Sequence, residues 1–264
     1  MNQFAAPRKS LGQNFLQDPN IINKIVSSLA LAEGDVVLEI GPGRGALTEL
    51  LLPLAQTLHL VEFDRDLVEY WKTRRSDYPG LVVHGEDILK FDLSVVTSQA
   101  SSPIKVIGNL PYNISSPVLF HLMAYADQID SQVVMLQKEV VQRMSAPPGS
   151  KNYGRLSVML QQRYEIEYLF TVPPGAFFPP PKVESAIARL TPLSDIKYPV
   201  DEFDVFEKVV KQAFSQRRKT LRNTLKSVIS AEQIESLNID PSARAETLSV
   251  AEFVSLANLV ARTQ

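Results

Sequence analysis

The sequence predicts an α/β protein: a doubly wound, mostly parallel sheet followed by a small all-helical C-terminal domain. Three observations predict it. Short apolar runs at 36–40, 57–63, 81–84, 104–107 and 132–136 alternate with stretches of helical periodicity. A glycine-rich turn, Gly41-Pro42-Gly43-Arg44-Gly45, leads from the first run into a helix. Beyond residue 202 only helical patterning remains, broken near Asn238-Ile239-Asp240-Pro241.

In order along the chain, residues 1–16 are polar, with Gly and Pro, and read as an arm. Asp18-Pro19 opens a helix, an acceptor before a proline whose missing N–H costs nothing in the first turn. Its apolar positions, Ile21, Ile22, Ile25, Val26 and Leu29, keep helical spacing. The run at 36–40 has the near-continuous apolar character that a parallel strand covered on both faces requires. Helices are expected over 46–55, 66–75 and 116–125, each between two strands. After residue 136 the pattern changes. APPGSKNYG (146–154) is a loop, 156–163 a helix, and 165–172 and 183–190 alternate as antiparallel strands do. A linker at 191–200 separates a domain over 1–195 from a helical one over 196–264.

Composition narrows the class. The chain has 264 residues, 45% hydrophobic and 21% charged, enough to bury a substantial core. No apolar run approaches the length of a membrane span, and the N-terminus lacks the apolar core of a signal peptide, so a cytoplasmic protein without membrane contact is expected. There is no cysteine, which excludes disulfides and thiolate metal sites. His59, His84 and His121 have no ligand spacing, and no metal is expected. The net charge of −2 does not announce a nucleic-acid partner, so any such partner must be met by a local patch.

The chemistry-bearing residues all fall at predicted carboxyl ends of strands, where doubly wound sheets bind ligands. Gly41 and Gly43 let backbone approach a ligand closely. Together with Ala46 they also satisfy a dinucleotide fingerprint, although Pro42 and the tight G-x-G-x-G spacing suit a methyl-donor loop as well. Glu62 can accept both hydroxyls of a ribose, which either class of ligand carries, and Asp87 can accept from an adenine amine. Asn109-Leu110-Pro111-Tyr112 is the most specific feature. The exocyclic amine of adenine is a poor nucleophile, because its lone pair is delocalised into the ring. The Asn109 side-chain oxygen and the Leu110 carbonyl can each accept one amine hydrogen, favouring a pyramidal nitrogen aimed at a methyl donor. Pro111 preorganises the two acceptors, and Tyr112 offers a stacking face.

These segments carry a family resemblance over nearly the whole chain: LGQNFL (11–16), EIGPGRGALT (39–48), VEFD (61–64), GED (85–87), GNLPYNISSP (108–117), AFFPPPKVESA (176–186) and FSQRRKTLRN (214–223). The sequence resembles the KsgA/RsmA family of small-subunit (16S) ribosomal RNA adenine dimethyltransferases. The resemblance implies a Rossmann-like class I S-adenosylmethionine-dependent methyltransferase domain. S-adenosylmethionine would be the donor, lined by Asn14, Leu16, Gly41, Glu62, Asp87 and Asn109. It implies as substrate two adjacent adenosines in a hairpin loop near the 3′ end of 16S rRNA, each methylated twice, in an immature small subunit. Phe177, in F-x-P-x-P-K-V-x-S, would be the second stacking face opposite Tyr112, with Phe178 in the core.

Lys208, Lys211, Arg217, Arg218, Lys219, Arg222 and Lys226 form one basic stretch, expected to be helical, and Arg8 and Lys9 add a basic arm. Beside an adenine pocket, Arg217, Arg218, Lys219 and Arg222 read as phosphate contacts. Two alternatives are an antibiotic-resistance methyltransferase acting on large-subunit RNA and a non-catalytic assembly factor. A monomer is expected.

Overall fold

A computed structural model describes residues 7, 8 and 12–263. Lys9, Leu11 and most of the expected arm lie outside the described residues. The elements in order are β1 (Phe15–Leu16), α1 (Pro19–Ser28), β2 (Val36–Ile40), α2 (Thr48–Leu51), β3 (Thr57–Val61), α3 (Arg65–Thr73), β4 (Leu81–His84), α4 (Ser94–Thr97), β5 (Ile104–Asn109), α5 (Ser115–Met123), β6 (Ile129–Gln137), α6 (Lys138–Met144), α7 (Arg155–Gln161), β7 (Tyr164–Val172), β8 (Phe177–Phe178), β9 (Ser185–Pro192), α8 (Phe203–Ala213), α9 (Leu221–Thr224), α10 (Ala231–Ser236) and α11 (Val250–Thr263). The chain divides into two compact units, 1–141 with 167–192, and 142–166 with 193–264.

The first unit is built on a seven-stranded sheet of order β4-β3-β2-β5-β6-β9-β7. Strands β2 to β6 pair in parallel, and β9 runs antiparallel to β6. The apolar runs are buried on both faces: Val37, Leu38, Leu58, Leu60, Val106, Ile107, Val133 and Val134 are almost fully enclosed. The chain moves from β2 outward through β3 and β4, then returns to add β5 on the other side of β2. This reversal opens a crevice beyond the carboxyl ends of β2 and β5.

Local chemistry places the helices around that sheet. Asp18 caps α1 by accepting from the Asn20 and Ile21 N–H groups, and Asp64 caps α3 by accepting from Asp66. The helix expected over 46–55 is regular only over α2, because Pro53 has no N–H to continue the ladder. A two-stranded antiparallel ribbon, β1 with β8, brings the N-terminal segment to the strand that follows β7.

The second unit is larger than the helical domain expected over 196–264. It also takes residues 142–166, because α7 packs with α8 and α11 rather than ending the preceding domain. Arg155 pairs with Glu207, Tyr153 meets Phe214 edge-on, and Phe214 stacks on Phe253. The buried faces of α8 and α11 supply Phe206, Val209, Val210, Leu256 and Ala257. A reciprocal Ser230–Gln233 capping box starts α10.

Candidate active site

The ends of β2, β3, β4 and β5, with the segment before β1, enclose a cavity of about 350 Å³. Asn14, Leu16, Gly41, Glu62, Asp87, Asn109, Leu110, Pro111 and Tyr112 all line it, so the structure brings together nine of the residues singled out in the sequence.

The glycine turn forms one wall. Gly43 has a φ of +56°, and a Cβ there would stand 3.2 Å from the Phe15 ring. Gly45, at φ +91°, lies so close to Trp71 that a Cβ would come within 2.7 Å of the indole. The same indole donates its N–H to the Gly43 carbonyl at 3.0 Å, fixing the turn against α3. Only glycine combines this backbone conformation with such close approach.

Glu62 is locked in place. Its Oε1 accepts from the Phe63 and Asp64 N–H groups, both at 2.8 Å, and its Oε2 accepts from Gly43 at 3.2 Å. Burial pushes its carboxyl up, against these backbone bonds, which pull it down. Asp87 accepts from Leu89 at 3.0 Å while its side chain borders the cavity.

Glu39 interrupts the apolar strand β2 and was not singled out on its own in the sequence. It is 1% exposed, it lines the cavity, and its Oε2 has no hydrogen-bond partner. Burial, with a smaller contribution from the nearby Glu62 charge, drives its carboxyl up to about 8, partly offset by the Thr48 hydroxyl. An unpartnered buried oxygen beside the backbone-held Glu62 carboxyl suits a ligand with a cationic amine at one end and hydroxyls at the other. The donor expected from the sequence is such a molecule. An acid inside an otherwise apolar strand was the signal available in the sequence.

Asn109 ends β5. Its Nδ2 donates to the Asn14 carbonyl at 3.1 Å, which leaves the side-chain oxygen as the free acceptor. The Tyr112 hydroxyl shares a 2.7 Å hydrogen bond with Ser185 Oγ, and burial raises its pKa. The N-terminal segment is tied down at several points. Arg8 reaches Asp64 at 2.8 Å and Asp66 at 2.5 Å, and Gln13 donates to Asp64 at 2.9 Å. The Arg44 guanidinium lies 4.3 Å over the Phe15 ring.

Two expectations of placement are corrected, the burial of Phe178 and the continuity of the basic helix. Phe177 is 4% exposed and belongs to the core with Leu16, whereas Phe178 is 52% exposed. The reason is register: Leu16 opposes Phe177 and Phe15 opposes Phe178. Opposed residues share a face and successive residues alternate, so burying Leu16 buries Phe177 and turns Phe178 outward. The basic stretch is not one helix. Helix α8 stops at Ala213, residues 214–219 form turns, and α9 begins at Leu221. Arg217, Arg218 and Lys219 therefore project from an exposed connection in the second unit, and Arg222 from α9. Arg217 is partly engaged by Glu246 at 3.6 Å and donates to the Lys151 carbonyl at 3.1 Å, and Arg222 lies near Asp240. Among the described residues no group of His, Asp and Glu could hold a metal ion, and no helix is long and apolar enough to cross a membrane.

The pattern of the family described as "Ribosomal RNA adenine dimethylase" matches residues 5–262. A protein of Janthinobacterium named "Ribosomal RNA small subunit methyltransferase A" is 51% identical, over 96% of this chain and 98% of its own length. One of the same name from Alcanivorax borkumensis is 50% identical, over 96% of this chain and 89% of its own length. The crystal structure of a dimethyladenosine transferase from Plasmodium falciparum superposes with a TM-score of 0.76 at 28% identity, covering 92% of this chain and 95% of that one.

Proposed function

The chain belongs to the ribosomal RNA adenine dimethylase family, and from that premise we propose that it dimethylates two adjacent adenosines in the 3′-terminal hairpin loop of 16S rRNA. The methyl donor is S-adenosylmethionine, and the substrate is the immature small ribosomal subunit in the cytoplasm, met by the protein as a monomer. The observation that carries the reading is the Asn109–Tyr112 turn, whose asparagine amide is anchored through Nδ2 so that its oxygen is left to accept.

When bound, the donor supplies an electrophilic methyl group on a sulfonium. Glu62 would hold its ribose hydroxyls, Asp87 its adenine amine and Glu39 its cationic amine, with Asn14, Leu16 and Gly41 completing the walls. At the target, the Asn109 oxygen and the Leu110 carbonyl each accept a hydrogen of the adenine amine and draw its lone pair out of conjugation. Pro111 holds these acceptors in register, so little reorganisation accompanies the transfer. Tyr112 stacks on the base, whose removal from its own stack such a face offsets. No strong base is needed, because the nitrogen becomes acidic once it carries positive charge. The relatives at half identity are named for the small subunit, which does not favour the large-subunit reading.

The test is to incubate the protein and labelled donor with unmethylated small subunits and, separately, with large subunits, and to map the modified base. Label in two adjacent adenosines near the 3′ end of 16S rRNA is expected, and label only in large subunits would refute the proposal. In the same assay Asn109→Ala should abolish transfer while donor binding weakens but stays measurable.

A further inference from the structure

We propose that Ser185 is a positioning residue for the reaction, holding the ring of Tyr112 at the angle at which it stacks on the target base. The inference rests on the functional reading above and adds to it the group that orients that stacking face. A tyrosine ring turns about two side-chain bonds, so the face it offers to a base is preorganised only where both ends of the side chain are fixed. Both ends are fixed here. At the backbone, the Ser115 hydroxyl donates to the Pro111 and Tyr112 carbonyls, each at 3.2 Å, and the Ile114 N–H donates to the Pro111 carbonyl at 3.2 Å. At the far end, the Tyr112 hydroxyl shares its 2.7 Å hydrogen bond with Ser185 Oγ.

The fold delivers Ser185 to that point. Asn109 pairs with Met135 across β5 and β6, Met135 with Ile187 across β6 and β9, and Gln137 with Ser185. Ser185 therefore stands on the same sheet face as Asn109, two positions further towards the carboxyl end of β6, on the side to which the chain continues from Asn109 into Tyr112. Its backbone is held as well. The Lys138 N–H donates to the Glu184 carbonyl at 3.0 Å, and the Lys138 ammonium pairs with the Glu184 carboxylate at 2.8 Å. Ser185 is itself fully buried, so its hydroxyl has little room to swing. Every buried hydroxyl takes a partner. What gives this one a part in the reaction is the ring it holds: Tyr112 lines the cavity directly after the two acceptors for the adenine amine, so one turn sets both the tilt of the ring and the place of the amine.

The experiment is a double-mutant cycle of wild type, Ser185→Ala, Tyr112→Phe and the double variant, with unmethylated small subunits as substrate and S-adenosylmethionine as donor. Each single variant removes the same hydrogen bond and keeps the aromatic ring. Each should lower kcat/KM for the subunit by roughly threefold to tenfold, and the double variant should lose no more than either single one, to within about twofold. Donor affinity should stay within about twofold of wild type, because no donor contact is removed. A hairpin RNA with 2-aminopurine at the target adenosine should be quenched less by both single variants than by wild type, a readout that a purely structural loss would not move well below the unfolding temperature. Wild-type kcat/KM and quenching in Ser185→Ala would overturn the inference alone, as would single losses that multiply in the double variant. If Ser185→Ala does not fold, Tyr112→Phe decides: wild-type kcat/KM and quenching in that variant would overturn the inference. Wild-type protein that methylates neither subunit would overturn the functional reading, and this inference with it.

Discussion

Replacing Glu39 with glutamine should shift stability relative to wild type in the variant's favour as pH rises. The carboxyl is 1% exposed at the end of β2, and one of its oxygens has no hydrogen-bond partner. Burial, aided by the nearby Glu62, raises its folded pKa from 4.5 to about 8. Below pH 4.5 the group is protonated in both states and costs nothing. Between 4.5 and 8 the unfolded chain releases the proton and the folded chain retains it, so stability falls as pH rises; above about 8 the cost is constant. At pH 7 the accumulated cost is about 3 kcal/mol, taking about 1.4 kcal/mol per pH unit. Glu39→Gln keeps the volume and removes the titration, although its new N–H groups are themselves buried and cost about 1–3 kcal/mol if unpaired. The informative quantity is therefore the pH dependence of the difference between variant and wild type, not its absolute size. Urea unfolding at pH 5, 6, 7 and 8 should show that difference growing in favour of the variant by about 2.5 kcal/mol from pH 5 to pH 7. A difference that stays constant over this range would refute the claim that Glu39 is protonated in the folded state.

Phe177→Ala should cost about 3–5 kcal/mol in denaturant unfolding, as for a large buried aromatic, whereas Phe178→Ala should change stability by less than about 1 kcal/mol; equal losses would contradict the register of β1 and β8. His59 is buried, shares a 3.1 Å contact with a ring nitrogen of His84, and has its pKa lowered to about 4 by burial and by that neighbour. The folded state therefore favours neutral His59, so its contribution to stability is complete above about pH 6.5 and is lost as pH falls towards 4. An imidazole titration followed by NMR should find His59 neutral at pH 6, and a midpoint at or above 6.5 would refute this. Replacing Arg218, Lys219 and Arg222 together with alanine should weaken RNA binding and reduce the slope of log affinity against log salt by about 2–3. Replacing Arg217 alone should have the smallest effect of the four, because Glu246 and the Lys151 carbonyl already engage it. An unchanged slope in the triple variant would remove the patch from the contact surface.

The parallel strands, the glycine turn and the polar tetrad at the end of β5 follow from local residue choice. Each is written in a few consecutive residues: an apolar run that only a doubly covered strand tolerates, glycines at positive φ, a proline that fixes a turn. The convergence of Gly41, Glu62, Asp87 and Asn109 was also legible, because parallel strands carry all their carboxyl ends to one edge. Features that depend on a partner distant in the chain emerge only once the chain has folded. Which of two adjacent phenylalanines enters the core follows from pairing with Phe15 and Leu16, and a shift of one residue would exchange them. The anchoring of the Asn109 amide depends on a backbone carbonyl at Asn14, and no side-chain pattern encodes a carbonyl's direction. The membership of 142–166 in the second unit depends on α7 finding its apolar neighbours on α8 and α11. Glu39 lay in plain view within VVLEI, yet its raised pKa arises from burial, which exists only once the sheet has closed around it.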